Sequence, residues 1–147
     1  MTGMQAWFVT SKFEEDVLEL VEAPDPRVHG DRAHWRHILD VRAGDRVWFR
    51  NSGEKSVVGV GRIGNRVPDG PHTQYPSKYP QAIKWRVEDI QFLQPAIADN
   101  DFRDLFERFD DGTAGFQLFD SRGWYCQGSY LYPVCERLDQ ELRRHLG

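Results

Sequence analysis

The sequence predicts an α+β fold in which short helices flank a mixed β-sheet, and three observations support this prediction. Strand-like and helix-like segments alternate irregularly along the 147 residues, which argues against a parallel doubly wound sheet. An Asn51-Ser52-Gly53 turn joins two strand-like segments as in a β-hairpin. Gly59 and Gly61 lie inside the second of these segments, which indicates a bend or a close neighbour to the backbone. We expect a single domain over residues 1–147.

The first third of the chain predicts one strand and two helices. Ala6–Thr10 (AWFVT) is aromatic and β-branched, as strands are. The acidic segment after it has apolar residues at helical spacing and predicts a helix that ends before Pro24: Phe13, Val17, Leu20 and Val21. A second helix is predicted from about Asp31, whose carboxylate suits an N-cap, with an inner face formed by Trp35, Ile38 and Leu39.

The middle of the chain predicts three strands and one long loop. Arg46–Asn51 (RVWFRN) and Val57–Arg66 (VVGVGRIGNR) form the hairpin. Val67–Gln81 is a loop rich in Pro, Tyr and Gly, and loops of that length in compact domains are typically functional. Ile83–Leu93 (IKWRVEDIQFL) alternates as a strand does, and Pro95 is expected to end it.

The last third predicts two amphipathic helices with short strands between them. Asp99 or Asn100 is expected to cap a helix whose apolar stripe is formed by Phe102, Leu105, Phe106 and Phe109. A brief strand is expected at Phe116–Phe119 and a last one at Tyr130–Val134. Cys135–Leu146 predicts a closing helix with Leu138 and Leu142 directed inward.

Composition limits the classes of function. With 19 Lys and Arg against 23 Asp and Glu, the formal net charge is -4, so the surface cannot neutralise a long stretch of nucleic-acid backbone. Any nucleic acid must be bound through few phosphates. The N-terminus predicts no signal peptide, and no apolar run approaches the roughly 20 residues of a membrane helix, so we expect a cytoplasmic protein without a membrane partner. Aromatic residues make up 13% of the chain, enough for some to line a cleft.

Catalytic and metal signatures are missing from the sequence. No nucleophile with an adjacent base, phosphate-binding glycine loop or zinc motif is present. His29, His34 and His37 do not share one helical face, so we expect no metal and no cofactor. Cys126 and Cys135 predict buried thiols rather than a disulfide framework.

An ordered series of motifs resembles the EVE domain and, more distantly, the YTH domain, which are both PUA-like. The series runs from about Ala6 to His145, and the hairpin GDRVWF…N…VVGVGRI is its most specific part. The remaining motifs are TSK after the first strand, HW at His34-Trp35, KWRVEDI from Lys84 and YPV from Tyr132. ASCH domains share parts of the series. Two positions depart from the EVE pattern: Gly128–Tyr132 replaces an Arg-Leu-Ser stretch, and Phe13 replaces a proline.

The resemblance implies a strongly curved, nearly barrel-like mixed sheet with an aromatic cleft that binds one, often modified, base of DNA or RNA. Stacking of a base on an aromatic ring is worth about 1–3 kcal/mol, and Trp35 is the ring that we expect to supply it. Other predicted ligand contacts lie at strand ends or on a central strand: Ser11, Lys12, Asn51, Ser52 and Trp85. The predicted phosphate contacts come from the one concentrated basic segment: Arg27, Arg32 and Arg36.

Two other functions remain open at this point. The first is an ASCH-type RNA-processing hydrolase, for which Lys12, His34 and Tyr79 are the available catalytic candidates. The second is a protein-interaction module whose pocket is vestigial. The sequence does not distinguish DNA from RNA or one base modification from another.

Overall fold

The structure is a computed structural model that describes residues 4–11, 19–123, 125 and 131–146, with only the backbone of Ser11 and His34. Six strands and four short α-helices are present in the described residues. The strands are β1 Ala6–Ser11, β2 Leu20–Pro24, β3 Arg46–Asn51, β4 Ser56–Gly70, β5 Ala82–Ala98 and β6 Tyr132–Val134. The helices are α1 Pro26–His29, α2 Ala33–Arg36, α3 Asp99–Phe109 and α4 Glu136–Arg143, and a 3-10 helix, His37–Leu39, follows α2.

The strands form one sheet in the order β2-β5-β4-β3-β1-β6. Strand β1 runs parallel to β3, and every other pair is antiparallel. The predicted α+β class with a mixed sheet is therefore confirmed. The predicted strong curvature towards a barrel is wrong, because the sheet is open and not strongly curled. No described residue pairs β2 with β6, which form its two edges.

The sheet carries a hydrophobic cluster on each face. One contains Phe8, Trp48 and the inner residues of α3 and α4, including Phe102, Leu138 and Leu142. The other contains Trp7, Val9, Phe49, Ile63 and Ile83, and it receives Trp35 from α2. This division follows from strand alternation, because neighbouring residues of β3 such as Trp48 and Phe49 point to opposite faces. The predicted inward positions of α3 and α4 are confirmed, and Trp35 joins the second face.

Several predicted boundaries are wrong, each because a distant contact outweighs a local preference. Leu20 and Val21 belong to strand β2, paired with Arg86 and Trp85 of β5, rather than to a helix. Strand β5 continues through Pro95 to Ala98, where it reaches the start of α3. The helix predicted at Asp31 begins at Ala33 after Arg32, and Asp31 forms an ion pair with Arg36 instead.

The C-terminal region also differs in detail. Ala98 precedes α3 without a side-chain cap, and Asp99 lies in the first turn, so the predicted Asp99 or Asn100 cap is wrong. The strand expected at Phe116–Phe119 is a single bridge between Phe119 and Tyr125. Phe13, Val17 and Cys126 lie outside the described residues.

The two strand glycines are explained by close neighbours. A Cβ atom on Gly59 would lie 2.6 Å from Cζ of Phe49, and one on Gly61 would collide with Cγ1 of Val87. The backbone of β4 therefore lies against side chains of its neighbours, and the prediction of a close approach is confirmed.

Candidate functional site

Four rings from three chain segments meet over the second face of the sheet, and we call them the Tyr79 cluster. They are His29 of α1, Trp35 of α2, and His72 and Tyr79 of the loop 71–81 between β4 and β5. Tyr79 is the common neighbour: its ring centroid lies 5.4 Å from Trp35, 5.5 Å from His29 and 6.0 Å from His72. All three contacts are edge-to-face, a favourable geometry for aromatic pairs.

The chain around α1 and α2 holds Trp35 in this cluster. Asp25 caps α1 by accepting the backbone N–H of Arg27 (2.9 Å), and Pro26 occupies the first helical position. Gly30 follows at φ +103°, in a region that favours glycine. Its carbonyl accepts the Trp35 Nε1–H at 2.7 Å. The Trp35 indole is therefore held by the contact of its ring with Tyr79 and by the hydrogen bond of its N–H group.

Loop 71–81 lies across Trp35 and is closed by its own backbone. The His72 N–H donates to the Tyr79 carbonyl and the Tyr79 N–H to the Tyr75 carbonyl, both at 2.9 Å. At its end, the Gln81 N–H donates to Nε2 of His29 (3.3 Å). Trp35 is only 3% exposed as a result. In this conformation the ring of Tyr79, and not a base, packs against Trp35.

Glu22 of edge strand β2 ties the loop to the sheet. Its carboxylate accepts both the N–H and the hydroxyl of Thr73, each at 2.9 Å. Lys84 of β5 lies 3.6 Å from the same carboxylate. His72 is buried beside it, and its Nδ1 accepts the N–H groups of Gln74 (3.2 Å) and Tyr75 (3.3 Å). An acceptor Nδ1 carries no proton, so this turn of the loop is built on a neutral imidazole.

Burial lowers the pKa of His72 below 6.5, and nearby Lys84 acts in the same direction while Glu22 opposes it. Because the folded protein then binds fewer protons than the unfolded chain, stability is expected to fall as the pH drops from about 6.5 through the folded-state pKa. Denaturant titrations at several pH values should show that His72→Asn, which keeps an acceptor but does not titrate, loses this component. An unchanged pH dependence would contradict the assignment.

The cations near the cluster differ in whether a carboxylate of the described residues forms an ion pair with them. Arg27 forms a two-point ion pair with Asp25, which lowers the pKa of that carboxyl chiefly through the side-chain hydrogen bond. Arg36 pairs with Asp31 at 3.1 Å. Arg32 instead lies over the Trp35 ring, with Cζ 5.5 Å from its centroid. Lys78, which the sequence analysis did not select, lies with Nζ 5.4 Å from the Tyr79 centroid.

The predicted strand-end residues are brought together in part. Ser11 and Asn51 are register partners at the ends of parallel strands β1 and β3. The Asn51 side chain is buried and accepts the N–H groups of Gly53 (2.8 Å) and Glu54 (3.1 Å), which stabilises the β3–β4 turn. Ser52 lies half-buried in that turn, and Lys12 lies outside the described residues.

Trp85 lies half-buried on the same face as Trp35, with Arg66 5.8 Å from its ring centroid. Its Nε1–H is buried and has no hydrogen-bond partner among the described residues. Tyr79 also packs against this face, so Trp85 and the Tyr79 cluster belong to one aromatic layer.

Two features lie elsewhere. Asp110, Asp111 and Cys135 place possible ligand atoms within 4.8 Å of one another, but Asp110 already accepts the Tyr132 hydroxyl (3.3 Å) and Cys135 donates to the Phe109 carbonyl (3.2 Å). A groove of about 310 Å³ lies between the end of β5 and α3, lined in part by Arg108 and His145.

No described helix is both long and apolar enough to cross a membrane.

Comparisons with known proteins identify the fold. No protein-family model and no curated protein matches the chain. It is similar to the solved structure of human THYN1 in complex with 5-methylcytosine containing DNA, at 13% identity over 94% of this chain and 95% of that one, with a TM-score of 0.53. The N-terminal domain of Staphylothermus marinus McrB matches at 13% identity over 99% and 96%, with a TM-score of 0.58. ASCH from Zymomonas mobilis matches at 14% over 97% and 96%, with a TM-score of 0.57. The matches include EVE-domain proteins, and the predicted PUA-like fold is confirmed.

Proposed function

We propose that this chain, which has the PUA-like fold of EVE-domain proteins, binds one unstacked nucleobase of DNA or RNA between Trp35 and Tyr79. We propose further that the preferred base is modified and that the chain is a single non-catalytic module. The observation that carries this proposal is the Tyr79 cluster itself, in which rings from α1, α2 and loop 71–81 converge beside two cations that have no carboxylate partner among the described residues.

Binding between these rings requires the loop to move. The Trp35 and Tyr79 rings meet at an interplanar angle of 72° with centroids 5.4 Å apart, whereas a base held between two parallel rings needs roughly 7 Å, twice the ~3.5 Å contact distance. Tyr79 must therefore withdraw with its loop. Most residues of loop 71–81 are exposed, and Glu22 supplies its side-chain attachment to β2. The described conformation is the closed state of the proposed site.

The other predicted contacts keep supporting roles in the proposal. Ser11 and Asn51 end adjacent strands, and with Ser52 we assign them to the edge of the base. The ammonium group of Lys12 is assigned to a phosphate. Trp85 is assigned to the pocket wall, where its buried Nε1–H would gain an acceptor from the ligand. Arg27, Arg32 and Arg36 are assigned to phosphates. The solved complex of human THYN1 with 5-methylcytosine containing DNA supports 5-methylcytosine as the first ligand to test.

Replacing Tyr79 with leucine tests the proposed stacking. We expect single-stranded oligonucleotides that carry 5-methylcytosine to lose about 1–3 kcal/mol of binding free energy, because one stacking ring is removed. A methyl group that fills a dry pocket adds roughly 0.8 kcal/mol, so the unmodified oligonucleotide should bind more weakly to the wild type. Fluorescence anisotropy titrations measure both effects.

Tyr75→Leu is the matched control. Tyr75 lies in the same loop and is 48% exposed, and it contacts His72, at 5.7 Å between ring centroids. The Tyr75→Leu variant should bind the oligonucleotide with an affinity within about twofold of wild type. Equal losses in the two variants would contradict the stacking role of Tyr79. Metal-independent cleavage of labelled RNA, abolished by Lys12→Ala, would replace the proposal with the hydrolase alternative.

A further inference from the structure

We propose that Arg32 and Lys78 form a two-point phosphate clamp that holds the backbone of the bound nucleotide on either side of the Tyr79 cluster. This inference rests on the proposed function and adds to it the residues that bind the phosphate groups of the ligand. Lys78 is assigned for the first time, and Arg32 is separated from its neighbours Arg27 and Arg36.

The ion pairs around the cluster single out these two cations. Arg27, Arg36 and Lys84 each lie within 4.0 Å of a carboxylate: that of Asp25, Asp31 and Glu22, respectively. Arg32 and Lys78 are exposed, and in the described part of the chain no carboxylate lies within ion-pair distance of either. No described carboxylate therefore competes with an anionic ligand for these two charges, whereas a phosphate must compete with an existing partner at Arg27 or Arg36.

Each of the two cations lies over one of the rings that would bind the base. Arg32 lies over Trp35 and Lys78 over Tyr79, at 5.5 and 5.4 Å from the centroids, and the two rings are in contact with each other. A cation held over a ring face by electrostatic attraction keeps its N–H donors free for hydrogen bonds. A nucleotide within a strand has a phosphate on each side of its sugar, and the clamp assigns one of these phosphates to each side chain.

The chemistry of the two side chains suits the binding of one phosphate by each. The planar guanidinium of Arg32 can donate two parallel hydrogen bonds to one phosphate, while the ammonium of Lys78 acts as a compact point charge. A clamp of two phosphates matches the overall charge of -4, which excludes a long basic track.

The dependence of binding on salt tests the clamp. For single-stranded nucleic acid the slope of log K against log salt concentration is about -0.7 per phosphate neutralised, so the two residues of the clamp contribute about -1.4 to the slope. With an oligonucleotide that carries one 5-methylcytosine, Arg32→Gln and Lys78→Gln should each reduce the slope by about 0.7. Arg32→Lys should keep the slope and still bind less tightly, since the two-point geometry is lost.

Arg108→Gln is the matched control. Arg108 is also an exposed arginine without a carboxylate partner among the described residues, but it lies on α3 beside the other cluster. It should leave the slope unchanged. A slope reduced equally by all three glutamine variants, or by none, would overturn the clamp.

Two further probes separate this inference from the proposed function. Free 5-methylcytidine has a base and no phosphate, and an oligonucleotide with one abasic site has phosphates and no base. We expect the nucleoside to bind equally to wild type, Arg32→Gln and Lys78→Gln, and the abasic oligonucleotide to bind in an Arg32- and Lys78-dependent way. If the nucleoside binds but phosphates add no affinity, the clamp alone is overturned. If the abasic oligonucleotide binds but the nucleoside does not, the base site alone is overturned. If neither probe binds, both proposals are overturned.

Discussion

Replacing Asp139 with alanine is expected to lower the free energy of unfolding by about 3–5 kcal/mol, because it leaves buried donors and a cation without a partner. Asp139 of α4 is 5% exposed. Its carboxylate accepts the Trp48 Nε1–H at 2.8 Å and an Arg46 N–H at 2.5 Å, and Arg143 lies 3.4 Å away. These contacts attach α4 to β3, a central strand of the sheet. Urea titrations measure the loss.

Two variants make this prediction specific. Asp139→Asn keeps an acceptor for Trp48 but loses the charge that holds Arg46, so an intermediate loss is expected. Gln140→Ala changes an exposed side chain on the same helix and should stay within about 0.5 kcal/mol of wild type. If Asp139→Ala costs less than about 1 kcal/mol, the carboxylate does not organise the attachment of α4.

Replacing Trp35 with leucine is expected to have the largest effect on ligand binding. It removes the ring that we place against the base and should cost about 1–3 kcal/mol of binding free energy. Trp35→Ala is a poor test, because truncating a tryptophan that is 3% exposed costs about 3–5 kcal/mol of stability. Leucine fills more of the space, so the variant should fold with a moderate loss. Affinity is measured below its unfolding temperature.

Trp7→Leu provides a control of equal burial. Trp7 is 2% exposed, belongs to the same hydrophobic cluster and likewise donates one hydrogen bond through its indole, to Asp45 at 2.9 Å. It lies on β1 and outside the Tyr79 cluster. The two variants should lose comparable stability, and only Trp35→Leu should lose affinity. Equal affinity losses would show that both act through the fold.

The sequence contains most of the fold in local patterns. Alternating strands, the Asn51 turn and the apolar stripes of α3 and α4 were all predictable, since each depends on neighbours a few residues away. The wrong boundaries depend on remote partners. Leu20 and Val21 fit a helical spacing, but pairing with β5 places them in an edge strand. Pro95 ends no strand, because β5 continues to the start of α3.

The candidate site was predictable only in part. Trp35 and the long loop were selected from the sequence, one from the resemblance and the other from its length. Glu22, His72 and Lys78 were missed, since the contact between Glu22 and Thr73 joins positions 51 residues apart and leaves no local signal. The burial of Trp35 was not foreseen either, because a sequence does not show which face of a ring a distant loop contacts. That no described carboxylate pairs with Arg32 or Lys78 appears only once the ion pairs of the described residues are known.

NMR titration with 5-methylcytidine tests most directly whether the Trp35–Tyr79 contact opens around a free base. We predict that the Trp35 indole N–H signal, assigned by its loss in Trp35→Leu, and the backbone signals of loop 71–81 shift together and saturate. Shifts confined to the groove beside Arg108 and His145, or a nucleoside that binds while the Trp35 signal stays in place, would contradict the account.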